Sequence, residues 1–308
     1  MTGGPPPLFS VLIPTRDRPG QLERCLASLS ASADVPGGFE VIVVDDGGSA
    51  DLEPILRPHR RRLDLTLCRR PHSGPGSARN AGTEHARGGM LAFTDDDMLV
   101  EPDWLPALAE RAAAEPDAVI GGRTLNAVPA NRYSRVSQRI SDRAYAHHND
   151  GPVGPTFFAS NNLAVPADGF RDLGGFDPAF RTSEDRDFCR RWHEDGRPMI
   201  YAEEAVARHA RELDAASFWR QQFGYGRGAF AYHRARRARG VGVRGGFEAS
   251  FYLGIAREAA SRLRTDPGEA LLIVLWQLAN TAGFLREALA ALNPRRSHSE
   301  ALRRAETA

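Results

Sequence analysis

Three consecutive aspartates, Asp95, Asp96 and Asp97, stand where a mostly apolar stretch ends, and apolar residues resume at Met98. Hard divalent cations such as Mg²⁺ and Mn²⁺ take oxygen ligands, usually one or two carboxylates together with substrate phosphates. Side chains alternate along an extended segment, so Asp95 and Asp97 would point to one side and bind a metal diphosphate as a pair. The alternative is an acidic loop or helix cap, but uncompensated carboxylates beside a buried stretch are costly. The spacing therefore predicts a divalent-cation site.

Acidic residues also end two earlier apolar runs: Asp17 follows the first, and Asp45 and Asp46 end the second. Short apolar runs that stop abruptly at polar residues are typical of buried parallel strands. The predicted strands are 8–18, 39–48 and 90–97, with helical stretches over 19–32, 51–61 and 76–88 between them. This alternation predicts an α/β fold with a mostly parallel sheet and right-handed crossovers. Since ligands bind beyond the carboxyl ends of such strands, we expect all these acidic groups at one edge.

The order of elements is less regular after residue 100. The predicted elements there are a helix over 101–116, a strand over 117–122, a turn and helix over 174–196, and helices from about 213. Segment 155–166 is rich in β-forming residues but polar at its centre, so we expect it to line a site. The sequence thus predicts an α/β domain over 1–210 and a helical C-terminal region over 211–308.

The composition is that of an ordinary globular protein, with 42% hydrophobic and 26% charged residues in a chain of 308. Three widely spaced cysteines, Cys25, Cys68 and Cys189, suggest neither a disulfide framework nor a zinc site and fit a reducing compartment. The first residues lack the basic and apolar regions of a secretory signal, so we expect a cytoplasmic protein.

Charge is unevenly distributed along the chain. Residues 1–205 contain 23 arginines and 30 acidic residues, whereas residues 206–308 contain 17 arginines and 9 acidic residues. The basic end, which includes "RRSHSEALRR" at 295–304, predicts a phosphate-rich or membrane-surface partner; a solvated helix face is the alternative. The last apolar run, 269–292, is interrupted by polar residues, and its unbroken part is shorter than the ~20 residues of a membrane span. We expect a packed or interfacial helix there, in peripheral contact with the inner face of the plasma membrane or in a homodimer.

Six segments resemble, in order and spacing, those of family 2 glycosyltransferases with the GT-A fold. They are "VLIPTRDRPGQLERCLASL", "EVIVVDDGG", "GPGSARNAG", "LAFTDDDMLVEPDWL", "GGFDPAF" and "SEDRDFCRRW". The resemblance covers about residues 8–210 and is to the bacterial, non-processive type, because the Gln-x-x-Arg-Trp motif of processive members has no match. It implies metal-dependent transfer of a sugar from a nucleoside-diphosphate sugar, most commonly of UDP, to an acceptor hydroxyl.

The resemblance also implies roles for individual residues. The donor nucleotide would be bound by Pro14, Thr15, Arg16, Asp45, Asp46, Arg79, Asp95 and Asp96. A Mn²⁺ or Mg²⁺ ion would be bound by Asp95, Asp97 and His209. Asp185, with Glu184 beside it, would take the proton from the acceptor. We further expect Asn161 and Asn162, in the polar centre of 155–166, and Arg220 to contact the acceptor.

Each role has a structural alternative. Asp45 and Asp46 precede two glycines and could form a strand-to-turn signal. Glu184 and Asp185 in a first helical turn would favour the helix dipole without any catalysis. His209 could be structural, and the segment that contains Arg220 could be an amphipathic packing helix.

The expected chemistry follows from the donor. Departure of a diphosphate concentrates negative charge, which a bound cation stabilises, while a carboxylate deprotonates the attacking hydroxyl. If Asp185 lies opposite the leaving group, transfer inverts the anomeric configuration. The acceptor could be a glycan, a lipid-linked sugar or a small molecule, and we expect no nucleic-acid partner. The alternative functions are a sugar nucleotidyltransferase and a catalytically inactive protein that binds nucleotide sugars.

Overall fold

Buried apolar runs form one large sheet in the first of the two units into which the chain divides, Met1–Glu212 and Leu213–Ala308. The computed structural model describes residues 5–151, 154–240 and 249–292. The arginine-rich segment 295–304, part of the predicted partner surface, lies outside the described residues.

Eight strands, counted over the described residues, are hydrogen-bonded in the order β3-β2-β1-β4-β7-β6-β8-β5. The strands are β1 (Phe9–Thr15), β2 (Phe39–Asp46), β3 (Asp64–Arg70), β4 (Met90–Thr94), β5 (Met98–Val100), β6 (Val119–Asn126), β7 (Asn162–Pro166) and β8 (Met199–His209). The helices of this unit are α1 (Pro19–Ser30), α2 (Glu53–His59), α3 (Pro75–Thr83), α4 (Trp104–Ala114), α5 (Arg132–Asn149), α6 (Ala167–Asp172) and α7 (Glu184–Glu194). Strands β1 to β4 pair in parallel, whereas β5 and β7 run antiparallel to their neighbours. The predicted α/β fold with a mostly parallel sheet flanked by helices is confirmed.

Apolar side chains fill both faces of the parallel part of the sheet. Every residue of β1 is buried, and its successive side chains point to opposite faces. Val11 and Ile13 pack in the cluster that includes the buried face of α1, whereas Leu12 packs on the other side with Phe93. Burial on both faces explains why these strands read as continuous apolar runs.

The sheet cannot be flat, because β4 and β5 are joined by residues 95–97 alone yet lie four places apart in the strand order. Four strand spacings in a flat sheet would be about 19 Å. The four peptide links from Thr94 to Met98 reach at most about 14 Å. The sheet therefore curls, and Met98 pairs with His209 of β8.

Among the described elements of this unit, strands β3, β5 and β8 and helices α5 and α6 were not predicted from the sequence. In the edge strand β3 only Leu65 is buried and polar residues are exposed on either side of it, so no continuous apolar run marks the strand. In β8 the register against β6 shifts between Gly122 and Arg123, and the exposed Glu203 and Glu204 lie at this irregularity. Helix α5 has few buried residues and many polar ones, which hid it within the irregular part of the sequence.

The second unit is helical, with α8 (Ala215–Ala238), α9 (Ala249–Arg262) and α10 (Pro267–Ala291). Contacts advance in the same direction along α8 and α10, from Gly226 against Asn280 to Phe230 against Phe284, so these helices run parallel. A Cβ at Gly226 would lie 1.9 Å from the Asn280 carbonyl oxygen, so glycine permits their close approach. Among the described residues one helix, α10, is long and apolar enough to cross a membrane by length and composition, and 39% of that apolar stretch is buried.

Candidate functional site

The loops after β1 and β2 are tied together at the carboxyl edge of the sheet. Thr15 pairs with Asp45 in register, so the two strands end side by side. Asp17, at φ +52°, accepts a hydrogen bond from the Ser49 backbone N–H at 2.6 Å. Asp45 accepts from the Gly48 N–H at 2.8 Å. The predicted nucleotide-binding segment and the Asp-Asp-Gly-Gly turn therefore form one edge.

Asp46 orders the loop that leads into α3. Its buried carboxylate accepts hydrogen bonds from the backbone N–H groups of Ser73 and Gly74, both at 2.9 Å, and lies 2.7 Å from His72 Nδ1. Both of its oxygens are thus bonded to the protein. Asp45 and Asp46 were both predicted to bind the donor base. In this structure Asp46 stabilises the loop before α3, and one oxygen of Asp45 accepts a hydrogen bond within its own turn.

Arg79 joins two of the predicted site elements. Its guanidinium, 3% exposed, donates to Asp95 Oδ1 at 2.5 Å and to Glu184 Oε1 at 2.9 Å. The neighbouring Asn80 exchanges two hydrogen bonds with the backbone of Phe176. Helix α3 therefore holds residues 95–97 and the start of α7 in one charged network.

Helix α7 begins with the two carboxylates that were assigned to proton transfer. Asp185 is half-buried and accepts hydrogen bonds from the Ser160 N–H at 3.1 Å and the Arg186 N–H at 2.8 Å. Burial raises the pKa of Asp185 above its ordinary value. Burial and the nearby Asp185 charge raise the pKa of Glu184 to about 7. Raised carboxylic pKa values are what a general base acting near neutral pH requires.

Asp97 lies between two cationic side chains. Its Oδ1 is 3.3 Å from His209 Nε2, and its Oδ2 is 3.2 Å from the Arg18 guanidinium. Burial acts to raise the pKa of Asp97, but the charges of His209 and Arg18 outweigh burial and hold it well below its ordinary value. Burial acts to lower the pKa of His209, and the Asp97 carboxylate outweighs that and raises it. The pairing of β5 with β8 explains this contact, since it places His209 opposite the residue after Asp97.

Asp96 lies in the protein interior, which corrects its assignment to donor binding. It is completely buried, accepts a hydrogen bond from the Thr15 hydroxyl at 2.7 Å and lies 3.2 Å from Arg18. Residues 95–97 form a turn in which the Met98 N–H donates to the Asp95 carbonyl at 3.1 Å, and Asp96 and Asp97 share the Arg18 guanidinium. Burial raises the pKa of Asp96 to about 7.

This buried carboxyl makes stability depend on pH. A raised folded-state pKa contributes stability that is complete below the ordinary value of 3.8 and is lost as pH rises through about 7. We expect the stability of Asp96→Asn relative to wild type to increase by about 3 kcal/mol as pH rises from 4 to 7, and the difference to become constant above about pH 8. Urea unfolding at each pH measures it. Asp168→Asn, whose side chain is 95% exposed, is the control, and a gap independent of pH would contradict the burial argument.

The donor set at this edge fits a divalent cation that also binds a diphosphate. Asp95 and Asp97 offer carboxylate oxygens, which suit Mn²⁺ or Mg²⁺, and His209 in its neutral form offers a ring nitrogen. Within 5–151, 154–240 and 249–292, no group of three or more such side chains is arranged to hold a metal on its own.

The predicted acceptor residues have different positions. Asn162 is completely buried: its Oδ1 accepts from Trp104 Nε1 at 2.8 Å, and its Nδ2 donates to the carbonyls of Arg123 and Ala205. Its assignment to the acceptor is therefore corrected, since it holds the sheet together. Asn161, half-buried beside Ser160, has a buried Oδ1 without a hydrogen-bond partner. Arg220 is exposed on α8 in the second unit.

The remaining predicted residues lie at the end of β1. Pro14 and Thr15 are buried, whereas Arg16 is exposed. Arg18, two residues further on, was not predicted although it contacts both Asp96 and Asp97. The available signal was its place in "PTRDRPG", directly after a strand whose carboxyl end faces three aspartates.

Comparison with known proteins identifies the family. The model of glycosyl transferase family 2 matches residues 10–166, and that of glycosyl transferase family group 2 matches residues 91–285. The chain is 30% identical to validoxylamine A glucosyltransferase of Streptomyces hygroscopicus subsp. limoneus over 242 residues, covering 68% of this chain and 53% of that protein. It is 29% identical to pre-mycofactocin glycosyltransferase of Mycobacterium tuberculosis H37Rv over 211 residues, covering 65% and 42%. The chain thus spans about half the length of these relatives.

Solved structures share the fold at low sequence identity. The mannosyltransferase PcManGT from Pyrobaculum calidifontis, in complex with GDP-Man and Mn²⁺, superposes with a TM-score of 0.63 at 17% identity, covering 89% of this chain and 87% of that one. Residues 1–349 of Staphylococcus aureus TarS, in complex with UDP, give a TM-score of 0.52 at 16% identity, covering 90% and 88%. The predicted GT-A fold is confirmed by these neighbours. With its family-model matches and this fold, the chain belongs to glycosyl transferase family 2.

Proposed function

We propose that the chain transfers a sugar from a nucleoside-diphosphate sugar to an acceptor hydroxyl, with a divalent cation at Asp95 and Asp97 and with Asp185 as the base. The observation that carries the proposal is the network in which Arg79 binds both Asp95 and Glu184. It links the predicted cation-binding residues to the turn that carries the predicted base. Structural neighbours in complex with GDP-Man and Mn²⁺, with UDP and with UDP-GlcNAc support a nucleotide-sugar donor and leave the base of the donor open to test.

The residues of the chain have separate tasks in this reaction. A cation bound there would neutralise charge on the leaving diphosphate. Asp95, Asp97 and His209 would hold that cation, while Arg18 compensates the charge of Asp97 on its other side. Asp185, fixed by two backbone N–H groups, would accept the proton of the acceptor hydroxyl. A single displacement of this kind inverts the anomeric carbon.

A donor screen tests the proposal. UDP-, GDP- and dTDP-sugars are each incubated with candidate acceptors and with Mn²⁺, Mg²⁺ or EDTA, and nucleoside diphosphate release is followed. We expect one donor to give steady release that EDTA abolishes, and a product whose anomeric configuration, read by NMR, is opposite to that of the donor. Nucleotide binding without release would instead support an inactive binding protein, and pyrophosphate formed from a sugar phosphate and a nucleoside triphosphate would support a nucleotidyltransferase.

A further inference from the structure

Helix α10 exposes a continuous apolar face. Its exposed large apolar residues, between 48% and 79% accessible, are Leu271, Val274, Leu278, Leu285, Leu289 and Leu292. Their spacings of three, four and seven place them on one side of the helix, and we call them the α10 stripe. From first to last the stripe is about 32 Å long at 1.5 Å per residue. Exposed apolar faces of this extent mark interaction sites.

No charged side chain interrupts the stripe. In the gap between Leu278 and Leu285 the same side of the helix carries Thr281 and Ala282, and the Thr281 hydroxyl accepts a hydrogen bond from Gln277 at 3.0 Å. The opposite side of α10 is buried, with Ile273 and Trp276 at 3% and 4% exposure. The stripe is thus a second apolar face, additional to the one that packs in the helical unit.

Arginines are exposed on α9, on the turn after it and on α10. Helix α9 and the turn after it expose Leu253 and Leu263 together with Arg257 and Arg264, and Arg286 is exposed beside Leu285. The acidic residues of α10 are engaged elsewhere: Glu287 lies 2.5 Å from Arg227 of α8, and the buried Glu269 lies 3.8 Å from Arg262. The exposed surfaces of α9 and α10 therefore each carry both leucines and arginines.

We propose that the α10 stripe, with the exposed leucines and arginines of α9, binds the surface of an anionic lipid bilayer. Apolar residues flanked by arginines are the pattern of a helix that lies in the membrane interface, where anionic lipids attract the basic side chains. A second copy of the chain fits less well, because the positions beside the stripe, such as Leu275, Ala282 and Phe284, lack the opposite charges that set register in paired helices. A membrane span also fits less well, because α10 forms an ion pair with the arginine-rich α8. The inference does not depend on the proposed sugar transfer.

Vesicle flotation with the full chain tests the proposal. We expect the protein to float with vesicles of phosphatidylglycerol and phosphatidylcholine, to bind pure phosphatidylcholine vesicles at least about tenfold less, and to be released by high salt. Leu285→Glu should weaken binding about tenfold or more, since it places a charge in the apolar face. Ala290→Glu, the same charge at an exposed position of the same helix outside the stripe, is the matched control. Circular dichroism checks that both variants remain folded.

Three outcomes would overturn the proposal. Equal binding to neutral and anionic vesicles would show that the arginines do not contribute to binding. The double variant with Arg257→Gln and Arg264→Gln tests that contribution independently. Release only by detergent would indicate a spanning helix. Absence of vesicle binding, together with a dimer in analytical ultracentrifugation that Leu285→Glu dissociates, would assign the stripe to a second copy of the chain.

Discussion

Replacing Asp185 with asparagine should lower the rate of sugar transfer about 1,000-fold and leave nucleotide affinity within about twofold of wild type. Asparagine has nearly the same shape and keeps one acceptor oxygen, which can retain the hydrogen bond from the backbone N–H of either Ser160 or Arg186, since these two groups donate to different oxygens of Asp185. It cannot accept a proton at neutral pH. Loss of rate with retained binding would therefore report loss of the base and not loss of the fold.

Turnover and calorimetric titration of the nucleotide measure the two quantities separately. Asp195→Asn makes the same chemical change at the other end of α7, where the side chain is 48% exposed, and should leave both unchanged. Full transfer activity in Asp185→Asn would exclude this base. Glu184→Gln is a further comparison, because it removes the charge that Arg79 pairs with on α7 while leaving Asp185 in place.

The pH profile of the wild type supplies a second readout of the same assignment. A base works in its deprotonated form, and burial raises the pKa of Asp185. Asp185 interacts with Glu184, whose pKa is about 7. The two carboxyl groups therefore lose their protons at a higher pH than ordinary carboxylic acids do. Transfer should therefore be slow in mild acid and rise toward neutral pH, and Asp185→Asn should lose this rise.

Replacing Asp97 with alanine should weaken Mn²⁺-dependent nucleotide binding at least about 100-fold. Outer-shell partners of a metal typically contribute 10- to 100-fold in affinity, so a direct ligand should contribute more. The change also leaves Arg18 without the Asp97 carboxylate, so a positive guanidinium with less compensation would remain where the cation should bind. Calorimetric titration of the nucleotide with and without Mn²⁺ measures the effect.

Two further variants make this result interpretable. Asp97→Asn preserves the shape of the side chain and should also lose metal-dependent binding, which separates the ligand role from packing. Asp103→Asn, at the exposed N-cap of α4 where the side chain makes no capping hydrogen bond, should bind as wild type does. Unchanged metal-dependent binding in a folded Asp97→Ala protein would refute the cation site.

The sequence pattern identified strands that are buried along almost their whole length and did not identify β3 and β8, which are only partly buried. β1, β2 and β4 are buried on both faces, so their residue types alone mark them. β8 could not be recognised in this way, because it has exposed glutamates in its middle and derives its place from pairing with β6 and β5. Local pattern carries no information about such distant partners.

The same limit applies to the site. Spacing placed Asp95 and Asp97 at the end of a strand, and the structure brings Asp97 to His209, more than a hundred residues away in sequence, through the pairing of β5 with β8. Spacing could not reveal that Asp96 is completely buried against Thr15, nor that Asn162 bonds Trp104 in the core. In both cases adjacent, chemically similar residues differ in burial and in hydrogen-bond partners, and only tertiary packing distinguishes them.

The short link between β4 and β5 has a consequence for recombining this chain with its relatives. Because residues 95–97 bridge strands four places apart, their number is fixed by the curvature of the sheet as well as by chemistry. A chimera with a crossover at residue 95 would take His209 and the strands that follow the link from one parent. It would take Arg18 and Arg79, which contact the aspartates, from the other parent. Functional hybrids should therefore be easier to obtain from crossovers after residue 212, where the first unit ends.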